Sequence, residues 1–321
     1  MSVEAFAFKS AQARYAAHTA RVCGYVFRSL DGQDGYCFAV RDGERGAVFA
    51  AGGGSPYALN DVRAASVARD KVFCAEALRL ANVPVLEGRM FFATDKWVDM
   101  RSPGREPSDA RAYARQVAYP VFCKPIAGSN GLFAEVIDDA AAFDAYLDRV
   151  SEKHFAILIQ PYVQAPEYRV FVLEGKALFS YRKRIPEIEG DGVSSVRALA
   201  RAKGVDGDNI HPRSVRGERR EPDWAPARGE RVVLAGPANR SAGGTTSDLR
   251  DGAPSKLAAL ALKAAEALRL RIAGVDMFAP ADAEPLVIEV NSNPMIATLE
   301  DHGRWDLIET IWRTNFEVAL R

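Results

Sequence analysis

Three oxygen-bearing side chains, Asp276, Glu289 and Asn291, fall within one short stretch, RIAGVDMFAPADAEPLVIEVNSNP, from Arg271 to Pro294. Two apolar runs, Ile272 to Ala279 and Pro285 to Val290, flank a polar turn and read as the strands of a hairpin. Side chains alternate faces along a strand, so Glu289 and Asn291 share a face, and strand pairing can bring Asp276 opposite them. Two carboxylates and an amide make a hard, oxygen-only donor set. Mg²⁺ takes such a set when it keeps several waters and shares the rest with nucleotide phosphates. Taken alone, the pattern equally describes a surface hairpin with solvated acids.

The stretches upstream of it add chemistry of the same kind. In YPVFCKPIAGSNGLFAEV (Tyr119 to Val136), a buried strand from Val121 to Cys123 delivers Lys124 to a loop holding Gly128, Ser129, Asn130 and Gly131, and a strand returns over Phe133 to Ile137. Backbone amides of such a loop can close around phosphate oxygens, and the lysine adds a point charge. There is no GK[ST] and no helix directly after the glycines, so this is not a P-loop; a hairpin with a flexible tip fits as well. A strand from Ala156 to Gln160 runs into Pro161, Tyr162 and Val163, followed by an alternating strand from Glu167 to Val172. Gln160 to Val163 offer the apolar slot and polar edge that an adenine ring needs, and Glu167 offers a carboxylate for ribose hydroxyls. The strand Ala177 to Tyr181 ends in Arg182-Lys183-Arg184, cations that suit a transferring phosphate or simply a solvated rim.

The elements that must position these residues are legible in outline. A helix is predicted over Glu4 to Thr19, then strands over Arg21 to Arg28, Gly35 to Val40 and Ala47 to Ala51, and a plain loop at the Gly52–Gly54 run. One continuous helix is predicted over Ala64 to Ala81, carrying Lys71, and another over Ser108 to Val117 without a full capping box. Further helices fall at Ala140 to Val150, Val196 to Lys203, Ser255 to Leu270 and Trp305 to Arg321. Residues 211–230, rich in Arg, Pro and charge, read as an exposed excursion or lid. The implied organisation is a small β-rich N-terminal domain (1–66), a first α/β subdomain (67–158) and a second one (159–321) with an inserted loop at 205–231.

Composition narrows the class. The chain has 321 residues, 42 basic and 42 acidic, and 48% hydrophobic content. It is long enough for a sizeable core, and its even charge balance gives no support for nucleic-acid or anionic-membrane binding. No apolar run reaches the length of a membrane span, and the N-terminus has no basic head followed by an apolar core, so a cytoplasmic protein is expected. The four cysteines, Cys23, Cys37, Cys74 and Cys123, form no CxxC pair and read as reduced thiols. His18, His154, His211 and His302 are scattered and suggest no nucleophilic or metal centre.

The order VFCKPIAGSNG, LIQPYV, EYRVFVLEGK, GVD and IEVNSNP resembles the ATP-grasp superfamily of ATP-dependent ligases over residues 64–300. Within it, YRKRIPEIEGDGVSSV followed by ANRSAGGTTSD is similar to cyanophycin synthetase and to the ATP-grasp part of bifunctional glutathione synthetases. The resemblance implies an α+β ATP-grasp fold, two α/β subdomains clasping ATP. It implies that Lys71 and Lys124 contact the phosphates under the Gly128–Gly131 loop, that Gln160, Pro161, Tyr162 and Val163 form the adenine hinge, and that Glu167 binds ribose. Arg184 would sit by the reacting phosphate, and Arg240 would face the acyl phosphate or the amino acceptor. Asp276, Glu289 and Asn291 would hold two Mg²⁺ ions, with Mn²⁺ able to stand in. Gln160 occupies a position where several members carry Glu, and the N-terminal region departs from their βαβ domain. The resemblance leaves a homodimer open.

The implied activity is ADP-forming carboxylate–amine ligation through an acyl phosphate, with an amino acid or peptide among the substrates. Mutual repulsion of the anions calls for metal and cations to hold them together, and a hydrolysable intermediate calls for a lid. An ATP-grasp kinase and a non-catalytic nucleotide-binding regulatory module are the alternatives; fold by itself does not separate them.

Overall fold

The computed structural model describes residues 8–52, 54–128, 131–205, 207, 210–215, 217–236, 238 and 243–321. Helix α1 (Ala11–Cys23) is capped by Ser10, whose Oγ accepts from the Ala13 amide at 3.4 Å, and stops at Gly24, which takes the left-handed conformation that ends helices at low cost. That cap sets the first strand later than the sequence pattern suggests. Strands β1 (Val26–Ser29), β2 (Cys37–Asp42) and β3 (Arg45–Ala50) form an antiparallel meander.

Where one helix is predicted over Ala64 to Ala81, there are two: α2 (Val62–Arg69) and α3 (Lys71–Leu80). The break is at Asp70, whose carboxylate accepts from the Val72 and Phe73 amides at 2.8 and 3.1 Å and so starts a new helix. This places Lys71 in the first turn of α3, at the edge of the cleft described below, rather than in mid-helix.

The chain continues through β4 (Arg89–Phe92), α4 (Pro107–Ala114), β5 (Val121–Pro125), β6 (Glu135–Ile137), α5 (Ala140–Ser151) and β7 (Ala156–Pro161). The strands form a sheet in the order β4-β7-β5-β6, and α4 and α5 cover it through Ala110, Phe143, Tyr146 and Leu147. Next come β8 (Glu167–Leu173), β9 (Lys176–Arg184), β10 (Glu187–Glu189), α6 (Val196–Ala202), β11 (His211–Ser214), β12 (Arg231–Ala235), β13 (Thr245–Asp251), α7 (Ser255–Ala267), β14 (Ile272–Phe278), β15 (Leu286–Asn291), α8 (Ala297–Asp301) and α9 (Trp305–Ala319). A small sheet, β10-β12-β11, packs on α6. The first residues of the expected 211–230 excursion are therefore a paired strand. Arg213 within it is buried against Asp138, with its guanidinium 5.4 Å from the centre of the Tyr162 ring.

The five-stranded antiparallel sheet, in the order β13-β9-β8-β14-β15, organises the rest. Along β14 the alternation is clean. Ala273, Val275 and Met277 face one side and pack with Leu78 of α3 and Leu260 and Ala264 of α7. On the other face Ile272, with Phe171, Leu173 and Phe179, meets α1, the N-terminal meander and α9, where Trp312 is fully buried. Further along that face the apolar residues give way to charge: Asp276 of β14 follows Ile272 and Gly274, and Glu167 and Arg169 of β8 precede Phe171. One sheet face thus serves as core at one end and as site at the other.

Candidate active site

The acidic residues meet across a strand pair. Asp276 on β14 is directly opposite Glu289 on β15, and Gly274 is opposite Asn291, so the three functional side chains share a face. A regular β15 would put Val287 and Glu289 on that same face. Instead the register shifts between Asp276 and Met277, where Met277 pairs with Val287 and Ile288 is the extra residue. This bulge turns Val287 into the helix-covered core and leaves Glu289 toward the cleft.

Four cations surround these acids. Arg169 donates Nε and Nη2 to the two oxygens of Asp276, both at 2.6 Å. Lys183 lies 3.4 Å from Asp276 Oδ2 and is bonded to Glu167. Lys71 reaches the Gly128 carbonyl at 3.3 Å and lies 3.9 Å from Glu289. Lys124 is 6% exposed. Burial lowers its pKa below the ordinary lysine range although Glu289 pulls it upward. Burial would raise the Asp276 carboxyl, but Arg169 and Lys183 outweigh it and hold the group below the usual carboxylate range. Glu289 behaves alike, with Lys124 and Lys71 outweighing burial. Burial would also depress Lys183, yet Asp276 and Glu167 keep it above the usual value.

These residues line a single cleft of about 1140 Å³ between the four- and five-stranded sheets. Lys71, Lys124, Gly128, Gly131, Gln160, Pro161, Tyr162, Val163, Glu167, Arg184, Asp276, Glu289 and Asn291 all border it. The expected residues Ser129, Asn130 and Arg240 lie outside the described ones. Gln160 is 3% exposed and donates Nε2 to the Glu87 carbonyl at 3.3 Å. A carbonyl only accepts, so this contact orients the amide and leaves the buried Oε1 without a partner. Arg184 is exposed at the rim, where Nε donates to Ser247 Oγ at 3.0 Å.

Sequence reasoning passed over Arg169, and treated Lys183 only as part of a cationic strand end. The available signal was parity: Arg169 is two residues from Glu167 and must share its face. Its register with Asp276 on β14 is a long-range fact. Gly274 has a clear use here. A Cβ there would lie 3.0 Å from the Pro294 Cβ, tighter than ordinary packing, and in ordinary contact with Arg169 Cδ at 3.5 Å, so the missing side chain lets the segment at Pro294 approach β14 closely.

The donor set suits a hard divalent cation. Among the described residues no three His, Cys, Asp or Glu side chains converge as a metal cage; the set is two carboxylates and an amide. Asn291 directs Nδ2 toward Gly274 O and Glu289 Oε1, both at 3.5 Å, which leaves its amide oxygen for another partner. Asp276 Oδ1 keeps a lone pair beyond its Arg169 bond, whereas Oδ2 also accepts from Lys183.

Architecture and comparisons agree on the fold, which is that of ATP-grasp proteins. A family model described as a RimK-like ATP-grasp domain matches residues 238–313. The chain is 26% identical over 253 residues to cyanophycin synthetase of Geminocystis herdmanii, covering 71% of this chain and 28% of that protein. It is 27% identical over 220 residues to the bifunctional glutathione biosynthesis protein GshAB of Desulfotalea psychrophila, covering 59% of this chain and 28% of that protein. The chain thus spans little more than a quarter of the length of these relatives. Among solved structures, a bifunctional glutathione synthetase from Pasteurella multocida superposes with a TM-score of 0.52 at 18% identity, covering 97% of this chain and 44% of that one. A D-alanine–D-alanine ligase from Bacillus anthracis gives a TM-score of 0.52 at 15% identity, covering 81% and 71%.

Proposed function

We propose that this protein is an ADP-forming ligase that joins a carboxylate to an amine through an acyl phosphate, with an amino acid or peptide as one substrate. The observation that carries the reading is the charge pattern of the cleft. Lys71, Lys124, Arg169 and Lys183 face Glu167, Asp276 and Glu289, four positive groups against three negative ones, with Arg184 at the rim. Such a lining fits a polyphosphate, and the volume exceeds the roughly 300–1,000 Å³ of a typical single-ligand pocket, leaving space for a second reactant. The relatives' names, a cyanophycin synthetase and a glutathione biosynthesis protein, and the ligase name of a structural neighbour support a joining reaction.

In this reading Gln160 to Val163 hold the adenine, Glu167 the ribose, and Lys71 and Lys124 the phosphates, beside Gly128 and Gly131. A carboxylate oxygen attacks the γ-phosphorus, the bond to the β-phosphate oxygen breaks, and ADP leaves. The amine nitrogen then attacks the acyl carbon, loses a proton to solvent, and inorganic phosphate departs. Lys124 and Arg184 offset the charge that develops on the transferring group. A divalent cation held by Glu289, Asn291 and Asp276 would neutralise phosphate oxygens during transfer. Arg240 is assigned to the acyl phosphate or the amine by resemblance alone.

The test is phosphate release from ATP across pairs of amino acids and small carboxylates, repeated with hydroxylamine. Release that needs one pair, with a hydroxamate trapped from the carboxylate, is the expected result. ADP formation with an alcohol acceptor and no hydroxamate would replace the ligase reading by a kinase. ATP binding with no release under any condition would favour a regulatory module or a macromolecular substrate.

A further inference from the structure

Asp276 is 1% exposed and already holds two guanidinium bonds from Arg169, with Lys183 at 3.4 Å. In formal charge, Lys71, Lys124, Arg169 and Lys183 outnumber Glu167, Asp276 and Glu289 by one, and Arg182 and Arg184 add further positive charge to the cleft lining before any ligand enters. Resting on the cation and nucleotide assignment above, we infer that Arg169 is a positioning residue that makes cation binding conditional on nucleotide. In the free protein it occupies Asp276, and together with Lys183 it makes the acidic hairpin electrostatically closed to a bare divalent cation. A polyphosphate of about three to four negative charges offsets that excess, and the cation enters with the nucleotide. One structural fact places this role on Arg169 itself: it sits opposite Asp276 in the β8–β14 register and, unlike an ion pair on a strand surface, it meets a carboxylate that is buried.

The test uses the full chain and Mn²⁺ alone, with free Mn²⁺ followed by electron paramagnetic resonance in the absence of nucleotide. Removing one positive charge a few ångströms from a divalent cation should tighten binding by about tenfold or more at the effective dielectric of a protein site. Arg169→Met is expected to show that gain. Arg169→Lys, which keeps the charge, is expected to stay within about threefold of the wild type. An arginine with a merely structural role would give no gain: a loosened Asp276 would weaken Mn²⁺ binding in Arg169→Met. Unchanged or weaker Mn²⁺ binding by Arg169→Met overturns the inference, as does tight Mn²⁺ binding by the wild type that nucleotide does not improve. If Arg169→Met fails to fold, Lys183→Met carries the same test with the same two outcomes. Binding of metal-free ATP to the wild type is measured separately. Its absence would refute the nucleotide reading and leave the Mn²⁺ titration, which contains no nucleotide, to decide the role of Arg169.

Discussion

Replacing Lys124 by methionine should separate function from stability. The lysine is 6% exposed, and burial sets its pKa below the ordinary lysine range. The folded protein therefore binds this proton less tightly than the unfolded chain does. It follows that the charged lysine costs stability at every pH below its folded pKa, and that the cost disappears as pH rises through that value toward the unfolded pKa near 10.4. Methionine keeps the length and apolar stem and removes the buried charge, while Lys71 remains 3.9 Å from Glu289. Lys124→Met should leave the unfolding free energy unchanged within about 1.5 kcal/mol, or raise it. The phosphate contact, a charge-assisted hydrogen bond of about 1.5–3 kcal/mol, should disappear, weakening ATP binding by roughly 10- to 150-fold. Urea unfolding and titration with a fluorescent ATP analogue measure the two quantities. In the wild type, nucleotide affinity should also fall at alkaline pH below the ordinary lysine range, as Lys124 loses its proton. A stability loss above about 2 kcal/mol would show that the lysine is chiefly a structural partner of Glu289. Nucleotide affinity within twofold of the wild type would refute its role at phosphate.

Glu289→Gln keeps shape and removes a carboxylate proposed to hold the cation, so ATP turnover should fall by about 100-fold or more while the fold is retained at somewhat lower stability, because Lys124 and Lys71 lose their counter-charge; retained turnover would remove the metal assignment. Gly274→Ala places a Cβ 3.0 Å from Pro294 Cβ and against the Arg169 stem, and should cost about 1–3 kcal/mol in urea unfolding. A neutral result would mean that the β14–α8 junction yields more readily than its packing suggests. Arg184→Ala lies at an exposed rim, so stability should change by no more than about 0.5 kcal/mol while kcat falls and the KM for ATP moves little; an equal loss in ATP affinity would move Arg184 to nucleotide binding.

The sequence determined most of the local content of this site. The alternation in IEVN put Glu289 and Asn291 on one face, and the apolar run around Asp276 made it a strand residue before any pairing was known. Strand ends supplied Lys124 and Arg184, and the strand ending at Gln160 led into Pro161, Tyr162 and Val163. These are short-range facts, fixed by the twofold period of a strand and by turn residues. The single helix predicted over Ala64 to Ala81 shows the limit of periodicity. Both halves of that stretch are helical, and the Asp70 side chain's capping of the next turn breaks them apart and moves Lys71 to the cleft edge.

What the tertiary structure alone decided is the company each residue keeps. Asp276 met Arg169 through a pairing between strands more than a hundred positions apart, and no local pattern specifies that register. The bulge at Ile288 reversed the parity of β15, so a strict twofold reading would have put Val287 and Glu289 together. The N-terminal meander buries its aromatic face only because Trp312 and Phe316 arrive from the far end of the chain. Periodicity tells a residue which way to face; only the packed sheet, by balancing buried charge against buried charge, tells it what it will face.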